Sequence, residues 1–290
     1  MKKIGYLNCI LIGLVLVLWA SVFMIGGLMG AYAWALLKMV LPFVGAFGLL
    51  LNLVVLVIYV SKRKRRLKLF TNMAVNLALF SPILLTMNVI SVAFPNSIAN
   101  AQPSVTVSWP LTETTVVGWG GDEVSDNVTH VIWPSERWAY DLVMEPYDMN
   151  SRRNEDYGIW DKEIVSPVAG TVIAAFDKEA DITPGSEDFD TLEGNHVYIK
   201  IKETGTYLLL NHLKKGSAAV QAGDKVKPGD LVGRVGNSGS TSEPHLHIHH
   251  QRQDPTKAFH PVLAEGLPLY FKDTQGEEMP TKRMIIDPEQ

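Results

Sequence analysis

The first 94 residues carry nine Lys or Arg and no Asp or Glu, while the rest of the 290-residue chain holds 17 basic and 30 acidic residues. A +9 segment is therefore followed by a −13 segment, which excludes one uniform soluble domain. Both segments are rich in apolar residues, so disorder is excluded as well. The positive charge is placed between apolar runs and not on a folded patch, which argues against a nucleic-acid binder.

Residues 4–37 contain no charge, Lys38 interrupts, and residues 39–60 again contain none. Each run exceeds the roughly 20 residues that cross a bilayer. The pattern predicts spans near 5–28 and 39–60, with Gly26, Gly27 and Gly30 loosening the first helix before the connection that carries Lys38. A third uncharged stretch, 69–94, holds Asn72, Asn76, Asn88 and Pro82 and is expected to form a third helix. Asn72 and Asn76 lie one turn apart and suit hydrogen bonds to a neighbouring helix. No ionisable residue accompanies them to form an ion path. Lys2 and Lys3 before an apolar run resemble a secretory leader, but the run is too long and lacks a small-residue cleavage site followed by a polar chain. Ser61-Lys-Arg-Lys-Arg-Arg-Leu-Lys68 puts six positive charges beside a span. That favours the cytoplasmic side and contact with anionic headgroups of the lipid bilayer. With the N-terminus also inside, three crossings place everything after about residue 95 outside the cytoplasm. Residues 1–94 are thus expected to be a multi-pass, three-helix transmembrane anchor. A regulatory membrane partner is compatible with it, but the sequence names none.

The single cysteine, Cys9, lies in the first apolar run, so there is neither a disulfide framework nor a Cys-based zinc site. After residue 94, Pro, Ser, Thr, Asn and Trp become frequent, and segments such as Asn195-His-Val-Tyr-Ile-Lys-Ile-Lys202 and Thr206-Tyr-Leu-Leu-Leu-Asn211 read as strands separated by Gly or Pro turns. The expectation is a linker over 95–115, an all-β sandwich or barrel-sandwich domain over 116–265, and a polar tail over 266–290. Turns such as Val226-Lys-Pro-Gly-Asp-Leu-Val-Gly233 also occur in lipoyl carriers, but Lys225 and Lys227 lack a carrier context. The acidic stretch 179–193, with Pro184-Gly185, reads as a solvated loop because its spacing does not fit an EF-hand.

All eight histidines fall at 130 or later, four of them within His245-Leu-His-Ile-His-His250. On a strand, His245, His247 and His249 share one face while Leu246 and Ile248 pack on the other. Such a face suits a metal; the alternative is a surface histidine run. A catalytic zinc takes about three protein ligands and leaves a position for water.

The run from Val220 through Gly233-Arg-Val-Gly-Asn-Ser-Gly-Ser-Thr-Ser-Glu-Pro-His-Leu-His247 resembles the lysostaphin-like zinc endopeptidases that cut peptidoglycan peptides. Ile164-Val-Ser-Pro-Val-Ala-Gly-Thr-Val172, Gly194-Asn-His-Val-Tyr198 and Leu210-Asn-His-Leu213 are similar to other motifs of that family, in the same order. The resemblance covers about residues 110–260. It implies a duplicated-hybrid-motif β domain that acts as a zinc metallopeptidase on peptidoglycan. It makes His247 and Asp141 zinc ligands, the latter from Arg137-Trp-Ala-Tyr-Asp141. It makes His212 and His245 the non-ligand pair that handles protons and steadies the developing oxyanion.

One position departs from the pattern: the first histidine of His-x-x-x-Asp is Arg137, which stays protonated and cannot ligate zinc. His130, in Asn127-Val-Thr-His130, supplies the missing nitrogen if its strand runs beside Asp141. The stretch from Val117-Gly-Trp-Gly-Gly-Asp122 to Asp141 resembles a membrane-bound branch of the family in which this histidine is regular. The alternative is a buried histidine bonded to backbone. His249 takes a position where the family often has an acidic residue and is expected to be structural or solvated, the alternative being a group that faces the site behind the ligands; His196, His250 and His260 are expected to be surface or packing residues. Asn127-Val-Thr129 is formally a glycosylation sequon. Competing functions are a degenerate module that binds wall peptides or regulates another hydrolase, which Arg137 favours, and a general extracellular endopeptidase using the same residues.

Overall fold

The computed structural model describes residues 2–61, 67–272 and 274–288. It divides into two compact units, Met1–Asn96 and Ser97–Gln290.

The first unit is helical: α1 (Lys2–Ala20) with a π-helical extension Ser21–Ile25, α2 (Gly27–Met39), α3 (Leu41–Ser61), α4 (Leu67–Phe80) and the short α5 (Ile83–Thr86). Three stretches, Asn8–Ile25, Gly27–Val60 and Leu69–Thr86, are long and apolar enough to cross a membrane. The first ends where Gly26 takes φ +66°, a conformation that favours glycine. The third is shorter than its uncharged stretch predicts: α4 ends at Phe80. Pro82 follows, and its ring and missing N–H stop a helix. Asn72 does bond to a neighbouring helix, accepting from Asn8 Nδ2 at 2.7 Å, whereas the Asn76 amide donates to the Asn72 carbonyl of its own helix. Gly45 and Gly48 of α3 let α4 approach closely, since a Cβ on either would run into Phe80 or Asn76. The basic residues 62–66 lie outside the described residues.

The second unit is predominantly β. Its strands are β1 (Val105–Val107), β2 (Thr115–Trp119), β3 (Tyr140–Val143), β4 (Glu163–Val165), β5 (Gly170–Phe176), β6 (Asn195–Ile201), β7 (Tyr207–Leu213), β8 (Lys225–Val226), β9 (Leu231–Arg234), β10 (Leu246–Gln251), β11 (Gly266–Leu267), β12 (Leu269–Phe271) and β13 (Ile285–Ile286). One helix, α6 (Val124–Val131), lies between β2 and β3. The main sheet runs β13-β2-β3-β10-β7-β6-β5-β8, with β11 also on β10, and it stays open instead of closing into a barrel. Separate pairs are β1–β12, parallel, and β4–β9, antiparallel. Alternation along β6, β7 and β10 sends Val197, Ile199, Leu208, Leu210, Leu246 and Ile248 into one apolar core.

Both flanks of this domain depart from expectation. The stretch read as a linker contributes β1, and the stretch read as a polar tail contributes β12 as its partner and β13 on the edge of β2. Leu267, Leu269, Phe271 and Ile286 are fully or almost fully buried. Strands of two or three residues are too short for alternation to stand out from a polar background.

Candidate metal centre

The sheet builds the site by register. In the antiparallel ladders, His247 of β10 is directly opposite Asp141 of β3 on one side and Asn211 of β7 on the other. Opposed residues share a face, so Asp141 and His247 meet: His247 Nδ1 lies 3.0 Å from Asp141 Oδ1. The third member arrives from outside the sheet. His130 sits on the helix α6, not on a strand as expected, and its Nε2 lies 3.3 Å from Asp141 Oδ2. One ligand atom from each of His130, Asp141 and His247 falls within 4.8 Å of the others.

The donor set fits zinc. Nitrogen and oxygen ligands at about 2.0–2.2 Å around a tetrahedral ion lie roughly 3.3–3.6 Å apart; His130 and His247 lie 3.3 and 3.0 Å from the two oxygens of Asp141, and one atom from each residue falls within 4.8 Å of the others. The ring protonation fits as well. Asn127 Nδ2 donates to the carbonyls of Gly121 and Ala139, both at 3.0 Å, so its Oδ1 faces His130 Nδ1 at 2.7 Å as an acceptor. In its neutral form His130 therefore keeps its proton on Nδ1 and leaves Nε2, on the Asp141 side, available to an ion. A second chain fixes His247. Gln251 Nε2 donates to the Gln253 carbonyl, which leaves Gln251 Oε1 to accept from His249 Nε2 at 3.2 Å. His249 Nδ1 is then an acceptor, 2.9 Å from His247 Nε2, and the His247 lone pair is on Nδ1. His249 is buried and bonded to a candidate ligand, which is the site-facing alternative and not the solvated role. Asn127, read only as a sequon, is fully buried behind His130.

His212 reaches this face through a backbone irregularity. Regular alternation would send it to the side opposite Asn211. The β6–β7 ladder pairs Asn195 with Leu213 and His196 with Asn211, which makes His212 the bulged residue, and its φ is +62°. Its ring consequently sits 4.7 Å from that of His245 and 5.9 Å from that of His247. His212 Nδ1 donates to the Ser238 carbonyl at 2.8 Å, and His245 Nδ1 to the Glu243 carbonyl at 2.8 Å. Both rings thus offer Nε2 toward the centre; that of His245 is 3.5 Å from Asp141 Oδ1. Gly194 makes this possible: it takes φ +60°, and a Cβ there would collide with the Ser238 carbonyl group.

Electrostatics separate the roles. Burial alone would raise the Asp141 carboxyl, but any positive charge on His130 or His245 beside it favours the carboxylate, and the carboxyl is held well below the usual range. Burial opposes protonation of His130, yet the Asp141 carboxylate prevails and raises its pKa. Burial, followed by the repulsion of neighbouring histidines, lowers His212 well below its ordinary value. Burial also lowers His245, partly offset by Asp141. Both are neutral at pH 7 and able to accept a proton.

Arg137 is engaged by Asp122. Its Nη2 pairs with Asp122 Oδ1 at 2.8 Å and its Nη1 donates to the Asp122 carbonyl at 3.0 Å, while Trp138 Nε1 donates to the same carboxylate. The remaining histidines have structural places. His250 accepts from Thr206 and donates to the Pro268 carbonyl, and His196 stacks on Tyr198. His260 is half-buried. On the β3 side of the centre an open cleft of about 520 Å³ includes Trp119, Asp141, Tyr147, Glu243, His245 and Lys282.

The model of Peptidase family M23 matches residues 156–259. That segment contains His212, His245 and His247; Asp141 and His130 precede it. Among solved structures, lysostaphin in solution is 20% identical over 41% of this chain and 40% of that one, with a TM-score of 0.27. The chain thus spans less than half of that protein's length. The catalytic domain of lysostaphin from Staphylococcus simulans is 17% identical over 52% of this chain and 86% of that one, with a TM-score of 0.31. A zinc-containing peptidase from Vibrio cholerae is 17% identical over 50% of this chain and 36% of that one, with a TM-score of 0.31. No curated protein matches the sequence.

Proposed function

We propose that the Peptidase family M23 domain at residues 156–259, completed by His130 and Asp141, is a zinc-dependent endopeptidase that hydrolyses amide bonds in peptidoglycan peptides. The N-terminal helices anchor it in the membrane and place it outside the cytoplasm. The observation that carries the reading is the convergence of His130, Asp141 and His247 within 4.8 Å, each imidazole held in the tautomer that leaves a lone pair for an ion.

Zinc bound there supplies a Lewis acid and a water acidic enough to act as a nucleophile near neutral pH. The chain's own residues do the rest. His130, Asp141 and His247 contribute two neutral rings and one carboxylate. The Nε2 of His245 or His212 accepts the proton of the attacking water, and the imidazolium so formed gives it to the leaving amine. The carbonyls of Ser238 and Glu243 hold these two rings in place by accepting from Nδ1. Substrate lies along the sheet face, with the cleft of Trp119, Glu243 and Lys282 receiving one side of it.

A wall-binding or hydrolase-regulating module is the second reading, because Arg137 stands where the family pattern has a ligand. One experiment separates the two. Full-length wild type, His130→Ala and His247→Ala are purified in detergent, assayed for zinc, and incubated with peptidoglycan while new amines are counted. The peptidase reading expects about one zinc per chain in wild type, loss of zinc in both variants, and amine release by wild type alone. Wild type that holds no zinc, or a His247→Ala protein with full activity, overturns it.

A further inference from the structure

One part of the cleft beside the centre is built by residues outside the matched segment 156–259. Its floor is Trp119. The β2–β3 ladder pairs Val117 with Leu142 and then Trp119 with Asp141, which makes Gly118 the bulged residue. Regular alternation would send Trp119 after Val117 into the core; the bulge turns the indole onto the face of the candidate ligand Asp141. Its cap is Lys282, whose Nζ stands 3.0 Å from the centroid of the Trp119 ring. Backbone pairing fixes this lysine in place. Arg283 N donates to the Val117 carbonyl at 2.7 Å, Val117 N donates to the Met284 carbonyl at 2.9 Å, and Ile285 and Ile286 continue along β2 as β13. Buried Ile286 ties the segment to the core.

The ring occupies only one side of the ammonium. An ammonium has three N–H donors, and an indole face attracts its charge without accepting from all of them. Among the described residues the lysine ion pairs are those of Lys162, Lys214 and Lys257, so no carboxylate there takes up Lys282. Burial and the neighbouring Arg283 lower its pKa, opposed by Asp126 and Asp148, whose fields reach it without an ion pair. The other charges of the cleft are placed differently. Glu243 accepts from the Asp148 backbone N–H at 3.0 Å, and its own carbonyl holds His245. Arg152 is exposed on a loop. Lys282 is instead half-buried, braced on a ring and open to the cleft, with donors that the chain does not use.

We propose that Lys282, braced on Trp119, is a specificity-determining residue that binds a carboxylate of the substrate peptide. A carboxylate accepts from the unused N–H groups and meets their charge, whereas an amide carbonyl only accepts. Two strand spacings of about 4.8 Å separate β2 from β10, roughly the reach of three residues of extended peptide. The carboxylate is therefore carried within about three residues of the cleaved bond, as an α-carboxylate or on a side chain. That the ligand is a peptidase substrate rests on the proposed function; the preference of Lys282 for a carboxylate does not.

The test uses full-length, zinc-loaded protein in detergent and two matched pairs of peptidoglycan-type peptides. In one pair the α-carboxylate is free or amidated, and in the other a side-chain carboxylate is free or amidated. Amidation is expected to lower kcat/KM at least about fivefold in one pair, mainly through KM. Smaller ratios in both pairs overturn the proposal. Lys282→Met, with its zinc content unchanged and an apolar stem still over Trp119, is expected to reduce the sensitive ratio at least about threefold, and Lys282→Arg to keep it. A smaller reduction in Lys282→Met, or loss of the ratio in Lys282→Arg, assigns the preference to packing or to another group and overturns the proposal. If no peptide is cleaved, the peptidase reading falls on its own. Lys282 is then judged by saturation-transfer NMR with N-acetylalanine and N-acetylalaninamide at equal concentration. A signal from the acid that exceeds that of the amide in wild type, and that Lys282→Met removes, upholds the assignment. Any other pattern overturns it.

Discussion

Asn127 Oδ1 lies 2.7 Å from His130 Nδ1, and the same side chain is held by the carbonyls of Gly121 and Ala139. One buried amide thereby decides which nitrogen of His130 faces Asp141. Replacing it with alanine removes the acceptor that orients the ring. Outer partners of metal-binding histidines typically contribute about 10–100-fold in affinity, so Asn127→Ala is expected to weaken zinc binding by that factor. Competition against a chelator of known affinity measures it, and an unchanged affinity would show that the ring is held by other means.

His249 performs the same service for His247 from the other side. In His249→Ala the His247 Nε2–H loses its acceptor, and the tautomer with its lone pair on Nδ1 loses its support. Zinc affinity is expected to fall about tenfold or more, with Gln251→Leu showing a smaller loss because it acts one bond further away. Chelator competition again gives the readout. Equal losses in the two variants would point to packing, not to the hydrogen-bond chain.

Arg137 is structural in this arrangement. Arg137→Ala removes the pair with Asp122 and leaves all three candidate ligands in place. Zinc stoichiometry is expected to be unchanged, while stability drops by about 1–3 kcal/mol because a partly buried carboxylate loses its charged donor. Urea unfolding followed by tryptophan fluorescence, with zinc analysis on the same samples, checks both halves. Loss of zinc in this variant would give Arg137 a role at the centre.

His250 couples the domain to acid. Burial, partly opposed by its hydrogen bond to the Pro268 carbonyl, lowers its pKa from 6.5 to about 4. Between those values the unfolded chain binds a proton that the folded chain excludes, so stability is complete above about pH 6.5 and falls as the pH drops toward 4. The shift corresponds to about 3 kcal/mol over that window. A His250→Gln variant, which has no proton to take up, is expected to show a flatter decline of the urea midpoint between pH 7 and 4.5. Parallel declines in the two proteins would assign the acid sensitivity to other groups.

The sequence by itself determined the division of the chain, because charge and hydropathy are sums over local composition and need no contacts. Absence of acid from the first 94 residues marks an apolar helical segment whatever its packing. Strand alternation likewise put His247 and His249 on one face of β10, with His245 immediately before that strand, since side chains on a strand repeat every two residues. The pairing of Asp141 with His247 was legible only through resemblance to a family, as no local pattern tells which strands are neighbours.

Tertiary structure decided the rest. His130 lies on a short helix and meets Asp141 from outside the sheet, a contact that depends on how α6 packs and not on spacing along the chain. His212 turns onto the face of the candidate centre through a bulge at φ +62°, although alternation would have placed it on the opposite side. The segments at 105–107, 269–271 and 285–286 become strands because partners far away in sequence satisfy their backbone groups; their own residues are too few to announce it. Residue chemistry limits which groups are able to bind an ion or move a proton. Long-range register and packing settle which of them stand within a few ångströms of one another, because distance in space is set by the whole fold.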